Sequence, residues 1–285
     1  SHSPPAGGLY VLCRNAAQAH AAIEAGATGV YLDFLDMVGL GTTVRELKGA
    51  NHYVAIAPPR IRKPGEEAIY KQIQELCPDA ILVRGLGALG DSSHSIAKIG
   101  DFSLNVTNKL AACIVLSHGL IAFTPGFDLD SEQLIDLLDE ALAAFAELVV
   151  HNPVPLFHME HCVLAARLSK GVDYRDCGRP CEKHVVSLRD RAGMDHPIEA
   201  DVSCRNTVFH ASSQSAAHLV ATLQRRGVQR YRIELVRESP EMTATIIKAY
   251  RSLLSGELSA TELTRSLRAE DGYGLVQGSL RVISS

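Results

Sequence analysis

The chain has 285 residues, of which 46% are hydrophobic and 21% are charged, a balance typical of folded globular proteins and not of disordered ones. Lys and Arg number 28 against 32 Asp and Glu, so the formal net charge of −4 does not by itself favour nucleic acid, although a local basic patch would. The sequence has no apolar run of the roughly 18 residues that a membrane helix needs, and it shows no secretion signal. We therefore predict a cytoplasmic protein without a membrane span.

Short β-like runs alternate with helical patterns through residues 9–150. Asn15 and Asp130 occupy capping positions at the start of two of these helices. Eight strands separated by helices predict an α/β fold, a (β/α)8 TIM-like barrel. A doubly wound open sheet is the alternative, because periodicity does not decide whether a sheet closes. The strands are predicted at residues 9–12, 29–33, 53–57, 80–83, 102–106, 120–123, 147–150 and 231–235.

Residues 151–213 interrupt this alternation, since they contain no clean βα unit and are rich in His, Cys, Arg and Asp. They predict a long insertion after the seventh strand, with short strands such as 185–188. Loops that follow barrel strands lie at the face where active sites form, and long loops in a compact domain are usually functional. We predict one barrel domain over 1–285, with the first βα units at 9–150, the cysteine-rich insertion at 151–213, and the last βα unit and C-terminal helices at 214–285.

The cysteines are the strongest chemical signal in the sequence. There are seven of them, and an odd number in a chain without a secretion signal disfavours disulfides. Four thiolates brought together suit a soft tetrahedral metal or an iron–sulfur cluster, and the basic neighbours Arg179, Lys183 and Arg205 would offset their charge. Spacing does not separate zinc from iron, although the short C-x2-C pairs typical of zinc ribbons are absent. Three cysteines are predicted to be buried and inert, Cys13, Cys77 and Cys113, and four lie in the insertion as C-x14-C-x3-C-x22-C: Cys162, Cys177, Cys181 and Cys204.

Histidines near these cysteines suggest a second kind of site. On a strand, His158 and Glu160 share a face with Cys162, whereas His161 takes the opposite face. One alternative is therefore a His/Cys zinc site with an open position, in which Glu160 is the general base of a hydrolase. A pair of histidines that are only hydrogen-bonded is the plainer interpretation. A third hypothesis is a non-catalytic binding domain whose metal only holds the insertion together.

Polar residues at the ends of the predicted strands would face the barrel mouth. The arginines among them would hold an anionic or phosphate-bearing substrate. No Gly-x-Ser-x-Gly motif is present, so a serine nucleophile is not supported. The residues at the mouth are Arg14, Asp33, Arg60, Arg84, Asn105, Asn108, Thr124, His151 and Glu234. We predict substrate binding by Arg60, Arg84, Asn105, Asn108 and His151, and catalysis by His158, Glu160 and Glu234.

The sequence resembles peptidase family U32, the collagenase-like proteases, over nearly its whole length. Two stretches in the insertion lie where that family carries its signature cysteines, 160–165 (EHCVLA) and 177–181 (CGRPC). The stretches that resemble its barrel units are 21–27 before 30–32, 79–84, 104–108, and 231–234 with 239–241.

This resemblance implies a TIM-like barrel and a [4Fe–4S] cluster held by four cysteines, as in members that hydroxylate RNA bases or the ubiquinone ring. The family's usual His-Gly-Ala-x-Cys after the seventh strand is here 151–155 (HNPVP), and Cys177 and Cys181 would both ligate in place of the missing cysteine. The resemblance thus implies an oxidoreductase acting on RNA or a small aromatic substrate, with an old peptidase label. Because the first strand begins at Leu9, the remainder of a longer chain or a related subunit is a further expected partner.

Overall fold

The structure is a computed structural model that describes residues 3–35, 37–89, 96–171, 175–268 and 275–280. Strands and helices alternate in its first half, as the periodicity predicts. The strands there are β1 Gly8–Cys13, β2 Gly29–Leu32, β3 Tyr53–Ile56, β4 Ala80–Val83, β5 Ala97–Gly100 and β6 Ala122–Phe123, and the helices are α1 Ala16–Glu24, α2 Leu40–Gly49, α3 Glu67–Glu75, α4 Lys109–Ser117, α5 Ser131–Leu137 and α6 Glu140–Ala143.

The second half begins with a long strand and ends with helices. Its strands are β7 Glu147–Met159, β8 Val186–Arg189, β9 Asp195–Ala200, β10 Asn206–Ser215 and β11 Arg230–Glu234. Its helices are α7 Val163–Leu168, α8 Val220–Arg225, α9 Pro240–Leu254 and α10 Ala260–Arg268. Among the described residues, none of these helices is long and apolar enough to cross a bilayer.

Parallel pairing curls the sheet. Strands β1 to β6 pair side by side in chain order, the free edge of β1 pairs with β11, and β11 pairs with β7. At the other edge, Phe123 of β6 forms a parallel bridge with Ala146, and its amide donates to the Phe145 carbonyl at 3.0 Å. The result is a barrel-like mixed α/β fold. Its main apolar core lies between the sheet and the helices, and a smaller core that includes Tyr10 and Tyr31 lies on the other face of the sheet.

The predicted fifth strand at residues 102–106 is wrong. The strand is β5, five residues earlier, where Ala97 pairs with Ala80 of β4 and Gly100 with Val83. Residues 102–104 instead form a short 3-10 turn that ends at Asn105, whose φ of 53° is left-handed. The alternation of apolar residues in 102–106 imitates a strand, but pairing with β4 decides which segment enters the sheet.

The cysteine-bearing region forms an antiparallel arm, a name used here for residues 152–215. In it β10 pairs with the second half of β7 and with β9, and β9 pairs with β8, all antiparallel. The strand predicted at 147–150 therefore continues to Met159, because β10 satisfies its backbone groups beyond the parallel sheet. One face of the arm packs Leu164, Ile198 and Val208 into a small separate core. The opposite face turns towards the mouth of the parallel sheet.

Candidate functional site

A network of buried ions occupies the interior of the curled sheet. Arg232 on β11 is fully buried and contacts three carboxylates: its Nη2 lies 2.7 Å from Asp101 Oδ1 and 2.8 Å from Glu234 Oε1, and its Nη1 lies 2.8 Å from Glu147 Oε1. The hydroxyl of Tyr31 donates to the other oxygen of Glu147 at 2.7 Å. Because unpaired buried charge is very costly, each of these contacts is needed to keep the network folded.

Two further arginines extend the network towards the mouth. Arg84 lies 3.0 Å from Asp101 Oδ2 and 2.5 Å from Asp33 Oδ2, and Arg14 also contacts Asp33. Burial alone would raise the pKa of Asp33, but Arg14 and Arg84 hold it below its ordinary value. Arg14 and Arg84 are thus held by carboxylates, which leaves them fewer donors for a ligand.

Four carboxylates and three guanidinium groups make the direct contacts of this network, so the acids outnumber the bases that touch them by one. Burial raises the pKa of Glu234 above its ordinary value, and nearby Asp101 raises it further, whereas Arg232 opposes the shift. Glu234 is therefore the carboxyl group of the network best suited to carry a proton. Only its Oε1 contacts Arg232, and Glu234 is among the residues that line the adjacent cleft.

A cleft lies between this network and the face of the arm that turns towards the mouth of the parallel sheet. One rung of the arm, formed by the paired residues His158, Thr207 and Glu199, lines one side. Residues at the ends of β1, β2, β3 and β4 line the other. The aromatic and charged members of the lining are Arg14, Asp33, Phe34, Arg60, Arg84, Phe102, His158, Glu199, Asp201, Phe209 and Glu234.

Arg60 and His158 are the polar groups of the cleft most available to a ligand. The guanidinium of Arg60 lies over the ring of Phe102 at 5.0 Å, and it has no hydrogen-bond or ion-pair partner within the described part of the chain. His158 Nδ1 is 2.9 Å from Thr207 Oγ1, while its buried Nε2 has no partner among the same residues. Burial, together with Arg60, Arg84 and Arg205, lowers the pKa of His158 to about 4. The imidazole is therefore neutral at pH 7.

The four cysteines of the arm converge from three segments. Cys162 caps α7, accepting from the Ala165 amide at 3.4 Å. Cys177 and Cys181 flank a short turn at 180–182, and Cys204 has a left-handed φ of 61° between β9 and β10. Burial raises the pKa of the Cys204 thiol, and the thiolates of Cys162, Cys181 and Cys177 raise it further. The pKa of Cys181 is raised in the same way, by burial and then by Cys162.

These thiols are close enough to interact electrostatically, but they do not form a closed cage. Within the described ranges, no group of three or more His, Cys, Asp or Glu side chains is arranged to hold a metal ion. The two observations are compatible because charge acts over longer distances than metal–sulfur bonds of about 2.3 Å. As donors, the four thiols of the arm, none of them in a disulfide, fit a thiophilic metal or an iron–sulfur cluster.

The three cysteines outside the arm differ in their exposure to solvent. Cys13 is buried, as predicted. Cys77 and Cys113 are exposed, which contradicts the prediction of burial. Cys77 adopts a left-handed φ of 51° directly after α3, and Cys113 lies on the solvent side of α4. The apolar character of the surrounding helices misled the prediction, because only one face of each helix packs on the sheet.

Two of the three basic neighbours of the cysteines, Arg205 and Arg179, are paired with carboxylates. Arg205 follows Cys204 and is fully buried, with Nη2 2.8 Å from Glu66 Oε2 and Nε 2.8 Å from Glu160 Oε1. Arg179 pairs with Glu182 at 2.9 Å, and Lys183 donates to the Gly178 carbonyl at 3.0 Å. These carboxylates take up much of the positive charge that the sequence places beside the thiols.

Other predicted site residues lie away from the cleft lining. Lys63 and Arg205 bind Glu160 and lower its pKa, Lys63 the more strongly, while burial acts in the opposite direction. Asn108 caps α4 by accepting from the Ala111 amide at 2.9 Å, and Asn105 ends the turn described above. His151 is buried 5.5 Å from the ring of Tyr250, and burial lowers its pKa to about 4.

Sequence reasoning missed Asp101, Glu147 and Arg232. The available signal was a charged residue within a predicted apolar strand, as at Arg232 in 231–235. Glu147 opens β7, and Asp101 follows β5, whose position was itself predicted wrongly. Arg232 and Asp101 are 131 residues apart, so no local pattern links them.

Comparisons with known proteins identify one family and several solved structures of low sequence identity. The sequence model of peptidase family U32 matches residues 63–273. The structure is similar to a thiamine phosphate pyrophosphorylase from Pyrococcus furiosus, with 9% identity, coverage of 88% of this chain and 97% of that chain, and a TM-score of 0.48. It is also similar to the U32 peptidase Mk0906, with 12% identity, coverage of 54% and 72%, and a TM-score of 0.39. No curated protein matches the chain.

Proposed function

Since this chain belongs to peptidase family U32, we propose that it is an iron–sulfur-dependent oxidoreductase that holds a [4Fe–4S] cluster on Cys162, Cys177, Cys181 and Cys204. The proposed substrate is a small aromatic molecule or an RNA base, and the proposed reaction is a hydroxylation. The proposed location is the cytoplasm, whose reducing conditions keep cysteines as thiols.

The observation that carries this proposal is the convergence of four thiols. They come from three separate segments of the arm, and the thiolates of the other three all raise the pKa of Cys204. Thiols gathered in this way stay protonated on their own, whereas a bound cation would stabilise all four as thiolates. The same arm supplies His158 to the cleft, so the cysteines and one side of the cleft belong to one structural element.

We also propose that the eight parallel strands close into a (β/α)8 barrel of a single domain, in which residues 151–213, most of the arm, are an insertion. The parallel bridge between Phe123 and Ala146 supports closure, because it joins β6 to the start of β7. In such a barrel the ends of the strands and the arm would enclose the substrate together.

When bound, an iron–sulfur cluster supplies single-electron transfer. In the proposed cleft, Phe34 and Phe209 would contact an aromatic ring, whereas Arg60 and Phe127 already cover the ring of Phe102. Arg60 would bind an anionic substituent, since its guanidinium is unpaired among the described residues. His158 Nε2 would hydrogen-bond the substrate as a neutral imidazole, and Glu234 would hold a proton at its second carboxyl oxygen.

The zinc-hydrolase alternative receives less support. Its general base, Glu160, is bound by Lys63 and Arg205 and is absent from the cleft lining. A carboxylate with a lowered pKa is also a weaker base. In the binding-domain alternative, a metal only holds the arm together. That alternative gives no role to Arg60 and His158, the polar groups of the cleft most available to a ligand.

Anaerobic purification followed by reconstitution with iron and sulfide tests the proposal. We expect a brown protein with visible iron–sulfur absorption and about four irons per chain, as the cluster stoichiometry requires. Each of Cys162→Ser, Cys177→Ser, Cys181→Ser and Cys204→Ser should lose most of the iron. Cys113→Ser is the matched control, because Cys113 is an exposed free thiol on the sheet-packing helix α4. A colourless protein with stoichiometric zinc would favour the alternatives, and iron retained by Cys204→Ser would refute the ligand assignment.

A further inference from the structure

Three consecutive residues at the start of β10 connect three parts of the molecule. Cys204 belongs to the converging thiols. The buried guanidinium of Arg205 reaches Glu66, at the start of α3, and Glu160, two residues before Cys162. The buried amide of Asn206 accepts from the Val163 amide at 2.7 Å and donates to Cys162 Sγ at 3.8 Å. Cys204 and Arg205 are neighbours in the chain, so a movement of the Cys204 thiol would move the Arg205 backbone with it.

The loop between β3 and α3, residues 57–66, depends on this junction. It carries Arg60 into the cleft, yet none of the residues 61–66 is buried. Its contacts with the arm are ionic: Lys63 pairs with Glu160, and Glu66 pairs with Arg205. Ala57 and Pro58 anchor the start of the loop by burial. Residues 61–66 lack such anchors and take their position from the ionic contacts, so a displacement of Arg205 or Glu160 would be passed to them and to the adjacent Arg60.

We propose that Arg205 is a positioning residue that couples occupation of the cysteine site to the placement of Arg60 in the cleft. This inference rests on the proposed function, because it concerns the site that the cluster would fill. Metal binding would draw Cys162 and Cys204 together from their open arrangement, and it would move Glu160 and Arg205 with them. The loaded state would then hold the loop more firmly than the metal-free state. Such coupling is reciprocal, so fixing the loop also favours metal retention.

A second arginine offers a matched control. Arg237 follows β11 and binds the outer part of the arm, donating to the Val186 carbonyl at 2.8 Å and the Ile198 carbonyl at 3.0 Å and contacting Glu199. It connects the arm to the parallel sheet as Arg205 does. Within the described part of the chain its hydrogen bonds and ion pair reach the arm and not residues 57–66, so loss of Arg237 should leave the loop unchanged.

The test is hydrogen exchange of the full chain, metal-free and after anaerobic reconstitution, for the unmodified protein, Glu66→Gln and Arg237→Gln. Glu66→Gln keeps the shape of the side chain and leaves Arg205 its contact with Glu160, so the arm should stay folded. Circular dichroism confirms that each variant is folded. Iron retained after exposure to a chelator gives a second readout besides exchange.

We expect loading to slow exchange of residues 57–66 at least about fivefold in the unmodified protein and in Arg237→Gln, which is the lower end of typical coupling. In Glu66→Gln this protection should largely disappear, and iron should be lost faster to the chelator. Equal protection of the loop in all three loaded proteins would overturn the coupling while leaving the iron–sulfur proposal intact.

If the unmodified protein takes up no iron, the proposed function fails, and the coupling is judged on the metal-free proteins. Glu66→Gln should then speed exchange on both sides of Arg205, in the loop 57–66 and around Cys162 at 160–166. Faster exchange confined to the loop would overturn the coupling, because Arg205 would then transmit nothing to the cysteine side.

Discussion

Arg232 and Glu234 lie two residues apart on β11 and form a buried ion pair, with Nη2 2.8 Å from Oε1. The contact is possible because alternate residues of a strand point to the same face. It places a guanidinium and a carboxyl group inside the curled sheet, where aliphatic side chains usually pack. The chemistry of the cleft depends on this pair, because Glu234 lines the cleft.

Replacing Arg232 should destabilise the fold strongly. Arg232→Met would leave Asp101, Glu147 and Glu234 without their shared cation, and removing one partner of a buried pair costs roughly 3–5 kcal/mol. Urea unfolding at pH 7 measures this. Arg45→Met is the control, since Arg45 is exposed on α2 and should change the free energy of unfolding by less than about 0.5 kcal/mol. Similar values for the two variants would mean that the network contributes little to stability.

Glu234→Gln should become relatively more stable as the pH rises. Burial raises the folded-state pKa of Glu234 above its ordinary value of 4.5. The stability that its proton contributes is thus present below pH 4.5 and is lost as the pH rises through the folded-state pKa. Gln imitates the protonated group at every pH, so the variant avoids this loss. Urea unfolding of both proteins from pH 4.5 to 8.5 checks the trend, and a constant difference between them would show that Glu234 is ionised throughout.

His158 has the opposite pH dependence. Burial lowers its folded-state pKa to about 4 from 6.5, so the unfolded chain binds the proton first when acid is added. The stability gained from the neutral imidazole is present above pH 6.5 and is lost as the pH falls towards 4. His158→Gln should therefore lose less stability than the unmodified protein between pH 7 and pH 5. A direct NMR titration that found His158 protonated at pH 6 would contradict this.

Arg60 should bind anions in the cleft without supporting the fold. Arg60→Gln should weaken binding of benzoate, a small aromatic carboxylate, by roughly tenfold, because one charge-assisted hydrogen bond contributes about 1.5 kcal/mol. Arg62→Gln is the control, since Arg62 stacks on Tyr70 at 4.7 Å but does not line this cleft. NMR titration with benzoate measures both. Equal weakening by the two variants would indicate binding to general surface charge.

The chain should not cleave gelatin or casein, with either iron or zinc. A protease needs an activated nucleophile or a metal-bound water. Thiolates held as metal ligands are poor free nucleophiles, and Lys63 and Arg205 already bind Glu160. Proteolysis that persists in homogeneous protein and disappears in Glu160→Gln would promote the hydrolase alternative.

Local features of the sequence determined most of the first half of the fold. Three helices are capped by a side chain that accepts from the amide three residues later, and such contacts need only nearby residues. The capping residues are Asn15, Asn108 and Asp130. The clustering of Cys162, Cys177, Cys181 and Cys204 is equally visible in the sequence, since they lie on one arm. Family U32 also follows from sequence alone.

Tertiary structure decided the features that join distant segments. The position of β5 depends on its register with β4, and the length of β7 depends on β10, so neither can be read from its own residues. Arg232 meets Asp101 across 131 positions, and Arg205 meets Glu66 across 139. From the sequence, these residues can be identified as charged, but their partners cannot be identified. Their partners are set by the curled sheet and the arm, because a buried charge is stable only where folding brings an opposite charge to it.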